Sequence, residues 1–162
     1  MHQDRIGAIQ SHPLFQEQYA LLAQAEAHRE FCRHTLEHLL DVARLMYIYA
    51  LEDGAAVSKE QIYAAALLHD IGRYEQLSSG TPHHLAGGRM AAEILTDCGF
   101  SPEEIGPIRS AIEAHRSVPL PEDGPLTAYL YRADKASRLC FACPAKDRCN
   151  WPEEKKNLHI VY

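Results

Sequence analysis

Residues 63–73 read Tyr63-Ala-Ala-Ala-Leu-Leu-His69-Asp70-Ile71-Gly72-Arg73, an apolar helical run that ends in a neighbouring histidine and aspartate. Imidazole and carboxylate groups are both ligands for divalent transition metals. Side by side at a helix end, the two side chains can point at one ion from a rigid base. A plainer interpretation is also open, in which His69 packs at the helix end and Asp70 caps the next turn. The other segments of the chain distinguish metal binding from helix-end packing.

The composition is that of one soluble domain. With 162 residues the chain can bury a core without disulfides. No apolar run approaches the roughly 20 residues of a membrane span, and the N-terminus, Met1 to Arg5, has no signal-peptide pattern. The net charge of -6, without a basic block, argues against a nucleic-acid-binding module. We therefore expect a cytoplasmic protein with no membrane and no nucleic-acid partner.

Apolar residues recur three and four positions apart along most of the chain, which predicts an all-α fold. The predicted helices cover residues 15–29, 31–51, 58–69, 84–96, 101–115 and 125–139, with an interruption of the fifth at Gly106-Pro107. Residues 1–12 are expected to form a polar arm, and 76–82 and 117–124 to form loops. The only candidate strand is His159 to Tyr162, and it is not convincing.

Residues that can bind a metal recur at inward positions of the predicted helices. They are His34 and His38 on the second helix, His69 and Asp70 at the end of the third, His83 and His84 at the start of the fourth, His115 on the fifth and Asp134 on the sixth. A lone inward histidine usually packs in the core. An inward aspartate is costly unless it is paired or binds a metal, so packing alone explains this pattern poorly.

Four segments, taken in order, resemble the HD-domain metal-dependent phosphohydrolases. They are His38-Leu-Leu-Asp-Val-Ala-Arg44, Ala66-Leu-Leu-His69-Asp70-Ile-Gly-Arg73, His83-His-Leu-Ala-Gly87 with the downstream Ile108-Arg-Ser-Ala-Ile-Glu-Ala-His115, and Arg132-Ala-Asp134-Lys135. The resemblance covers about residues 30–139. It implies a single HD-type bundle of about six to seven helices over residues 1–139, and we expect residues 140–162 to be a cysteine-containing extension packed on it.

The resemblance also implies a metal centre. A first divalent ion would be held by His38, His69, Asp70 and Asp134, and a second by His83 and His115 with Asp70 as the bridge. His83 suits the family spacing better than His84, which stays in reserve together with His34. One or two ions of iron, manganese, zinc, nickel or cobalt would suit such ligands.

The activity that the resemblance implies is metal-assisted hydrolysis of a phosphate ester. Asp70 would orient or deprotonate the attacking water, and Arg73 and Lys135 would bind the phosphate or stabilise the leaving group. The family often has lysine at the position of Arg73, and arginine keeps the charge while adding bidentate geometry. We expect a small phosphorylated, nucleotide-like substrate. The absence of a Gly-Tyr-Pro motif argues against cyclic dinucleotides as substrates. A homodimer is possible.

Three other functions are compatible with parts of the sequence. A di-iron oxygenase of the HD fold would use the same ligands, and a non-catalytic sensor or interaction domain could hold the metal for structure. The segment His34-Thr-Leu-Glu37-His38 also matches the His-x-x-Glu-His arrangement of inverted zinc peptidases. That function would leave the His69-Asp70 pair, His115 and Asp134 unused.

Three of the five cysteines crowd together in the tail as Cys140, Cys143 and Cys149. In a reducing compartment this spacing favours metal binding over disulfides. Three thiolates are one ligand short of a tetrahedral zinc site, so Cys32 or His159 could be the fourth ligand, and an iron–sulfur cluster is the other possibility. The alternative is three reduced cysteines in a turn-rich extension.

Overall fold

Eight α-helices form the computed structural model of the chain, which describes residues 4–162. They are α1 (Arg5–Ser11), α2 (Pro13–Ala25), α3 (Leu36–Glu52), α4 (Lys59–Leu68), α5 (Arg73–Ser79), α6 (His83–Asp97), α7 (Pro102–Ala114) and α8 (Gly124–Ala136). Residues 4–162 contain no strand, so the all-α fold class is confirmed and the segment from His159 to Tyr162 is irregular. Short 3-10 turns lie at Pro121–Asp123, Cys140–Ala142, Lys146–Arg148 and Glu153–Lys155.

Side-chain caps fix the starts of the central helices. The Thr35 hydroxyl accepts a hydrogen bond from the His38 amide at the start of α3, at 3.4 Å. Ser58 and Gln61 form the predicted capping box of α4, with bonds of 3.1 and 3.2 Å. Such caps contribute about 1 kcal/mol each. They also fix the residue at which each helix begins.

The core lies where α3, α4, α6, α7 and α8 meet. It is built from fully buried aliphatic side chains that include Val42, Met46, Leu68, Ile94 and Ile112. The starts of α3 and α6 lie at the same end of the bundle as the ends of α4, α7 and α8, and this end carries the predicted ligands. No helix in the described range 4–162 is long and apolar enough to span a membrane.

Two segments that were predicted to be irregular are helical instead. Residues 5–11 of the predicted polar arm form α1, because Asp4 caps it and Ile9 is fully buried. Residues 1–3 of that arm lie outside the described residues. The predicted loop 76–82 is wrong for its first part, since α5 extends to Ser79 and ends at Gly80, whose φ is 81°. Helix α5 has no buried residue, so it shows no apolar periodicity in the sequence.

Several predicted boundaries were also wrong. Helix α2 ends at Ala25 and α3 begins at Leu36, because residues 26–35 turn back so that Glu26 can hold His34. His34 therefore lies outside the helix on which it was predicted. Pro107 does not interrupt α7, since the backbone bond it removes is on the exposed face of the helix. Helix α8 ends at Ala136, and the division of the chain at residue 139 stays a prediction.

Candidate metal centre

Six side chains converge at this end of the bundle, where the starts of α3 and α6 meet the ends of α4, α7 and α8. They form two groups that share Asp70, namely His38, His69, Asp70 and Asp134, and Asp70, His83 and His115. Within each group the potential ligand atoms all lie within 4.8 Å of one another. The structure therefore brings together all six residues that the sequence predicted as ligands, in the two groups that were predicted.

Asp70 stands between the two groups, and each of its oxygens faces a different one. Oδ2 lies 3.1 Å from Nε2 of His69 and 3.7 Å from Nε2 of His38. Oδ1 lies 3.6 Å from Nε2 of His83 and 3.9 Å from Nε2 of His115. This is the arrangement expected of a carboxylate that bridges two ions.

The separations between donor atoms suit ions of transition-metal size. Asp134 Oδ1 lies 3.3 Å from Nε2 of His38 and 3.7 Å from Nε2 of His69. Ligands bound at about 2.1 Å to one ion stand roughly 3.0–3.4 Å apart. The observed separations match or slightly exceed this range, so small side-chain movements would close either group around an ion.

Each of the four histidine rings is held through Nδ1, which leaves Nε2 directed at the centre. The partners of Nδ1 are the carbonyl of Ala66 for His69 at 2.7 Å, the carbonyl of Ile112 for His115 at 2.6 Å, Oε1 of Gln76 for His83 at 2.6 Å, and the hydroxyl of Ser137 for His38 at 3.2 Å. Hydrogen bonding of the second ring nitrogen is typical of metal-binding histidines, because it fixes the ring and its tautomer.

The inner nitrogens of His83 and His115 provide a test of whether a cation fits. They lie 3.3 Å apart. Both rings donate their Nδ1 proton outward, to Gln76 and to the Ile112 carbonyl, so two Nε2 lone pairs face each other. This arrangement is repulsive, and a cation bound by both nitrogens relieves it. The donor set therefore fits a metal ion.

Two buried atoms at the core of the centre also indicate that a cation fits there. Nε2 of His69 and Oδ2 of Asp70 have no hydrogen-bond partner among residues 4–162, although they are 3.1 Å apart, because they are not aligned for a hydrogen bond. Buried polar atoms without partners are costly in a folded protein. Both atoms point toward a common position instead, which is how two ligands of one ion are oriented.

The ionisation of the centre favours cation binding. Burial lowers the pKa of His83 to about 3, with help from the charge of Arg73, and lowers that of His115 to about 4, with help from His69. Burial would raise the pKa values of Asp70 and Asp134, but His38 and His69 outweigh it and hold both well below the usual range. Two neutral imidazoles and two carboxylates are the protonation states that bind metals.

The pKa of His69 moves in the other direction. Burial would lower it, but Asp70 and Asp134 raise it to about 10. In the metal-free protein a protonated His69 therefore balances part of the negative charge. Metal binding through its Nε2 would release that proton.

These shifts predict how the stability of the metal-free protein depends on pH. We expect its free energy of unfolding to fall as pH decreases from 6.5 toward 5. His83 and His115 bind protons near pH 6.5 when unfolded but only near pH 3 and 4 when folded. The unfolded chain then binds more protons, at about 1.4 kcal/mol per proton and pH unit. His69, whose pKa is raised, is protonated in the folded state throughout this range, and its opposing slope disappears as the unfolded chain also takes up that proton toward pH 5.

Urea unfolding of the metal-free protein between pH 6.5 and pH 5 measures this slope. His83→Gln should reduce it, whereas His28→Gln, at an exposed histidine, should leave it unchanged. Equal slopes in wild type and His83→Gln would contradict the assignment of a buried, neutral His83.

Gln76 contacts the centre in a way that the sequence did not reveal. Its Oε1 accepts hydrogen bonds from both Nδ1 and the backbone amide of His83, at 2.6 and 3.0 Å. We expect Gln76→Leu to weaken metal binding at the second group about 10–100-fold, because His83 loses its orientation. A chelator-competition titration measures this, with the exposed Gln24→Leu as the matched control. Equal affinities of the two variants would exclude the role of Gln76.

The two histidines held in reserve lie outside both groups. His84 is half-buried and belongs to neither group, so the geometry favours His83 at this position. His34 comes closer, with Nε2 3.9 Å from Asp70 Oδ2. Its Nδ1 is held by Glu26 at 2.6 Å, so His34 is a fixed neighbour of the first group.

A cavity of about 700 Å³ opens beside the centre, lined by His115 and Asp134 of the two groups. Four basic side chains, Arg73, Arg116, Lys135 and Lys155, line the same cavity. Arg73 also donates from Nε to Oδ1 of Asp70, at 2.9 Å. Lys135 lines the same cavity, and its Nζ lies 3.7 Å from the centre of the Tyr131 ring.

Sequence reasoning missed much of this cavity. Trp151, Lys155 and Asn157 come from the tail, for which the sequence predicted only an extension packed on the bundle, yet they line the cavity. Arg138 was missed as well. It donates to Nε2 of His38 at 3.2 Å and lies 3.7 Å from Asp134 Oδ1. The predicted helix 125–139 includes Arg138, four residues after Asp134 and therefore on the same helical face, but its side chain is not a metal ligand and it was not predicted as a site residue.

Known proteins match the chain over most of its length. The HD domain family model matches residues 35–139. An uncharacterized protein of Clostridium beijerinckii is 44% identical over 137 residues, which cover 85% of each chain. The crystal structure of a predicted HD superfamily hydrolase from an uncultured Thermotogales bacterium covers 90% of this chain and 83% of that one, with a TM-score of 0.62 and 21% identity, and so shares the fold. The resemblance drawn from the sequence is confirmed, and the chain belongs to the HD-domain family.

Proposed function

We propose that this protein is a metal-dependent phosphohydrolase that acts on a small phosphorylated, nucleotide-like substrate. The observation that carries the proposal is the pair of His/Asp groups sharing Asp70, which opens onto a cavity lined by four basic side chains. The similar Thermotogales protein is described as a predicted hydrolase, which supports hydrolysis as the reaction class.

The proposed ligands are His38, His69, Asp70 and Asp134 for one divalent ion, and Asp70, His83 and His115 for a second. The ions would supply an acidified water and neutralise phosphoryl oxygens. Iron, manganese, zinc, nickel and cobalt all accept imidazole and carboxylate ligands, so the ligand set is compatible with each of them.

The basic residues of the cavity supply the positive charge that binds a phosphate group. Arg73 reaches Asp70 with Nε, so its guanidinium is fixed at the border between centre and cavity. A fixed guanidinium stabilises the charge of a transferring phosphoryl group without having to reorganise. Lys135 and Arg116 lie in the same wall and complete a cationic surface around the place where the phosphate would bind.

The size and aromatic lining of the cavity favour a nucleotide. About 700 Å³ lies within the range of small-molecule and cofactor sites. Tyr131 and Trp151 line it together with the basic residues, and aromatic rings are the usual stacking partners of bases. A phosphate near the metal centre and a base against the tail would fill this space.

Asp70 acts as a ligand and an orienting group in this scheme. Since His69 and His38 hold its pKa well below the usual range, Asp70 stays ionised near neutral pH. A strongly ionised carboxylate accepts hydrogen bonds readily but is a poor proton acceptor. We therefore assign Asp70 to holding and orienting the attacking water rather than to deprotonating it.

Arg73→Met is expected to lower kcat/KM for phosphate esters about 10²–10³-fold, the cost typical of losing one preorganised donor to the developing charge. Steady-state kinetics with the metal-loaded protein measures this effect. Arg44→Met is the control, since Arg44 is exposed and pairs only loosely with Asp41, at 3.6 Å. Equal losses in both variants would remove Arg73 from the mechanism.

The function itself is tested with protein purified without oxygen and then loaded with manganese, iron, cobalt or nickel. The substrates are nucleoside mono-, di- and triphosphates, simple phosphomonoesters and phosphodiesters, and released phosphate or nucleoside is measured. We expect metal-dependent hydrolysis, fastest with nucleotides. Oxygen uptake with a polyol by a two-iron form, or no turnover of any ester by fully loaded protein, would overturn the proposal.

A further inference from the structure

Four of the five cysteines line a single cavity of about 230 Å³ beside the first His/Asp group. They are Cys32, from the segment between α2 and α3, and Cys140, Cys143 and Cys149 of the tail. We propose that these four cysteines are the thiolate ligands of an iron–sulfur cluster. This site is separate from the ions proposed at Asp70, and it does not depend on the reaction proposed there.

The tail is fixed where the four cysteines meet. Between Cys143 and Cys149, Arg148 donates from Nε to Oε1 of Glu30 at 2.6 Å, which ties the tail to the segment that carries Cys32. The side-chain amide of Asn157 donates to the carbonyls of Lys135 and Arg138 at 2.7 and 2.9 Å, and so holds the tail against the end of α8. The fold thus preorganises a four-cysteine site from two distant parts of the chain.

The structure decides between the two candidates for the fourth ligand. Cys32 lines the cavity, whereas His159 is exposed and is not among the lining residues. The thiols are also electrostatically coupled: burial raises the pKa of Cys32, and the thiolates of Cys140, Cys143 and Cys149 raise it further against the opposing effect of Arg138. All four thiols are free of disulfides.

The spacing of the sulfur atoms favours a cluster over a single zinc ion. Four thiolates bound to one zinc at about 2.3 Å stand about 3.8 Å apart. In residues 4–162 no three of the cysteine sulfurs lie within 4.8 Å of one another, although the His and Asp ligands do so twice. An iron–sulfur cluster keeps its thiolates farther apart, because several irons and bridging sulfides lie between them.

The charge and polarity of the cavity suit the same occupant. Four thiolates around an iron–sulfur core leave a net negative charge, and Arg138, Lys146 and Lys156 line the cavity. Leu139 and Trp151 add apolar side chains to the cavity lining. Basic groups and hydrophobic cover are features that stabilise and tune such clusters.

The test uses the full chain, produced with iron and sulfide supply and purified without oxygen. Acid-labile sulfide is the decisive readout, since the His/Asp centre binds no sulfide. We expect acid-labile sulfide with at least an equal amount of iron, because the His/Asp centre can hold further iron without sulfide, together with charge-transfer absorption in the visible range. We also expect at least a tenfold loss of sulfide in Cys143→Ala and Cys32→Ala. Cys98→Ala is the matched control, because Cys98 lies at the end of α6, away from the cavity, and this variant should keep its sulfide.

A second measurement covers the case in which a cysteine variant does not fold. Alkylation of wild-type protein followed by mass spectrometry should leave Cys32, Cys140, Cys143 and Cys149 protected before removal of the iron and labelled afterwards. Protein that carries zinc but no sulfide, or that binds no metal at these cysteines after reconstitution with iron and sulfide, would overturn the proposal.

Discussion

Asp70→Ala is expected to abolish both metal binding and hydrolysis. It removes the only carboxylate that both His/Asp groups share in the described part of the chain, so neither group keeps its full ligand set. The remaining donors of the second group would be two imidazoles, which already face each other at 3.3 Å. We expect less than about a tenth of the wild-type metal content and a fall in kcat/KM of about a thousandfold or more.

Metal analysis and kinetics on the same preparations measure these losses. Asp97→Ala is the control, because Asp97 is an exposed aspartate at the end of α6 that pairs with His12. Circular dichroism shows whether the Asp70 variant remains folded, and Asp70→Asn repeats the test without a change in volume. A folded Asp70→Ala protein that keeps its metal and its activity would refute a shared carboxylate at the centre.

Gly72→Ala is expected to have the second largest effect, on stability as well as on the metal centre. A Cβ at this position would stand 2.2 Å from the backbone oxygen of His83 and 2.6 Å from the amide nitrogen of Gly87. Backbone atoms cannot rotate away as a flexible side chain would, so α5 and α6 would have to separate. We expect a loss of about 3 kcal/mol in the free energy of unfolding, and weaker metal binding because His83 moves with α6.

Gly106→Ala provides a matched control in the same protein. Gly106 lies within α7, and a Cβ there would meet no described atom within 4 Å other than those of its chain neighbours, the second of which is Pro107. Alanine favours a helix over glycine, whereas the proline ring disfavours a helical residue with a Cβ before it, so we expect the stability to change by less than about 1 kcal/mol. Urea unfolding of the metal-free variants measures both changes. A Gly72→Ala protein as stable as wild type would show that α5 and α6 do not pack as closely as described.

The positions of the proposed ligands could be predicted because each depends on a local pattern. His69 and Asp70 follow an apolar helical run, and His38 and His115 continue the inward faces of their helices. Inward orientation follows from helical periodicity, whatever the helix packs against. Once several helices each carry one such residue, a common centre is the simplest arrangement.

Contacts between distant segments could not be predicted in the same way. Gln76, Glu26 and Ser137 each hold a histidine at or beside the centre, but a polar residue on a surface helix or in a turn has no sequence signal for its partner. The amphipathic pattern also fails for α5, which buries no residue. The wall that the tail forms over the cavity depends on Asn157 reaching the end of α8, a contact set by tertiary structure alone.

The most direct test of a metal centre shared through Asp70 is anomalous diffraction from crystals of the protein loaded with manganese or iron without oxygen. Data collected at the absorption edge of the metal locate each ion independently of any assay. We predict two anomalous peaks, one among His38, His69, Asp70 and Asp134 and the other among Asp70, His83 and His115, with one Asp70 oxygen on each. Peaks that do not contact Asp70, or no peak at these residues in fully loaded protein, would contradict the shared centre.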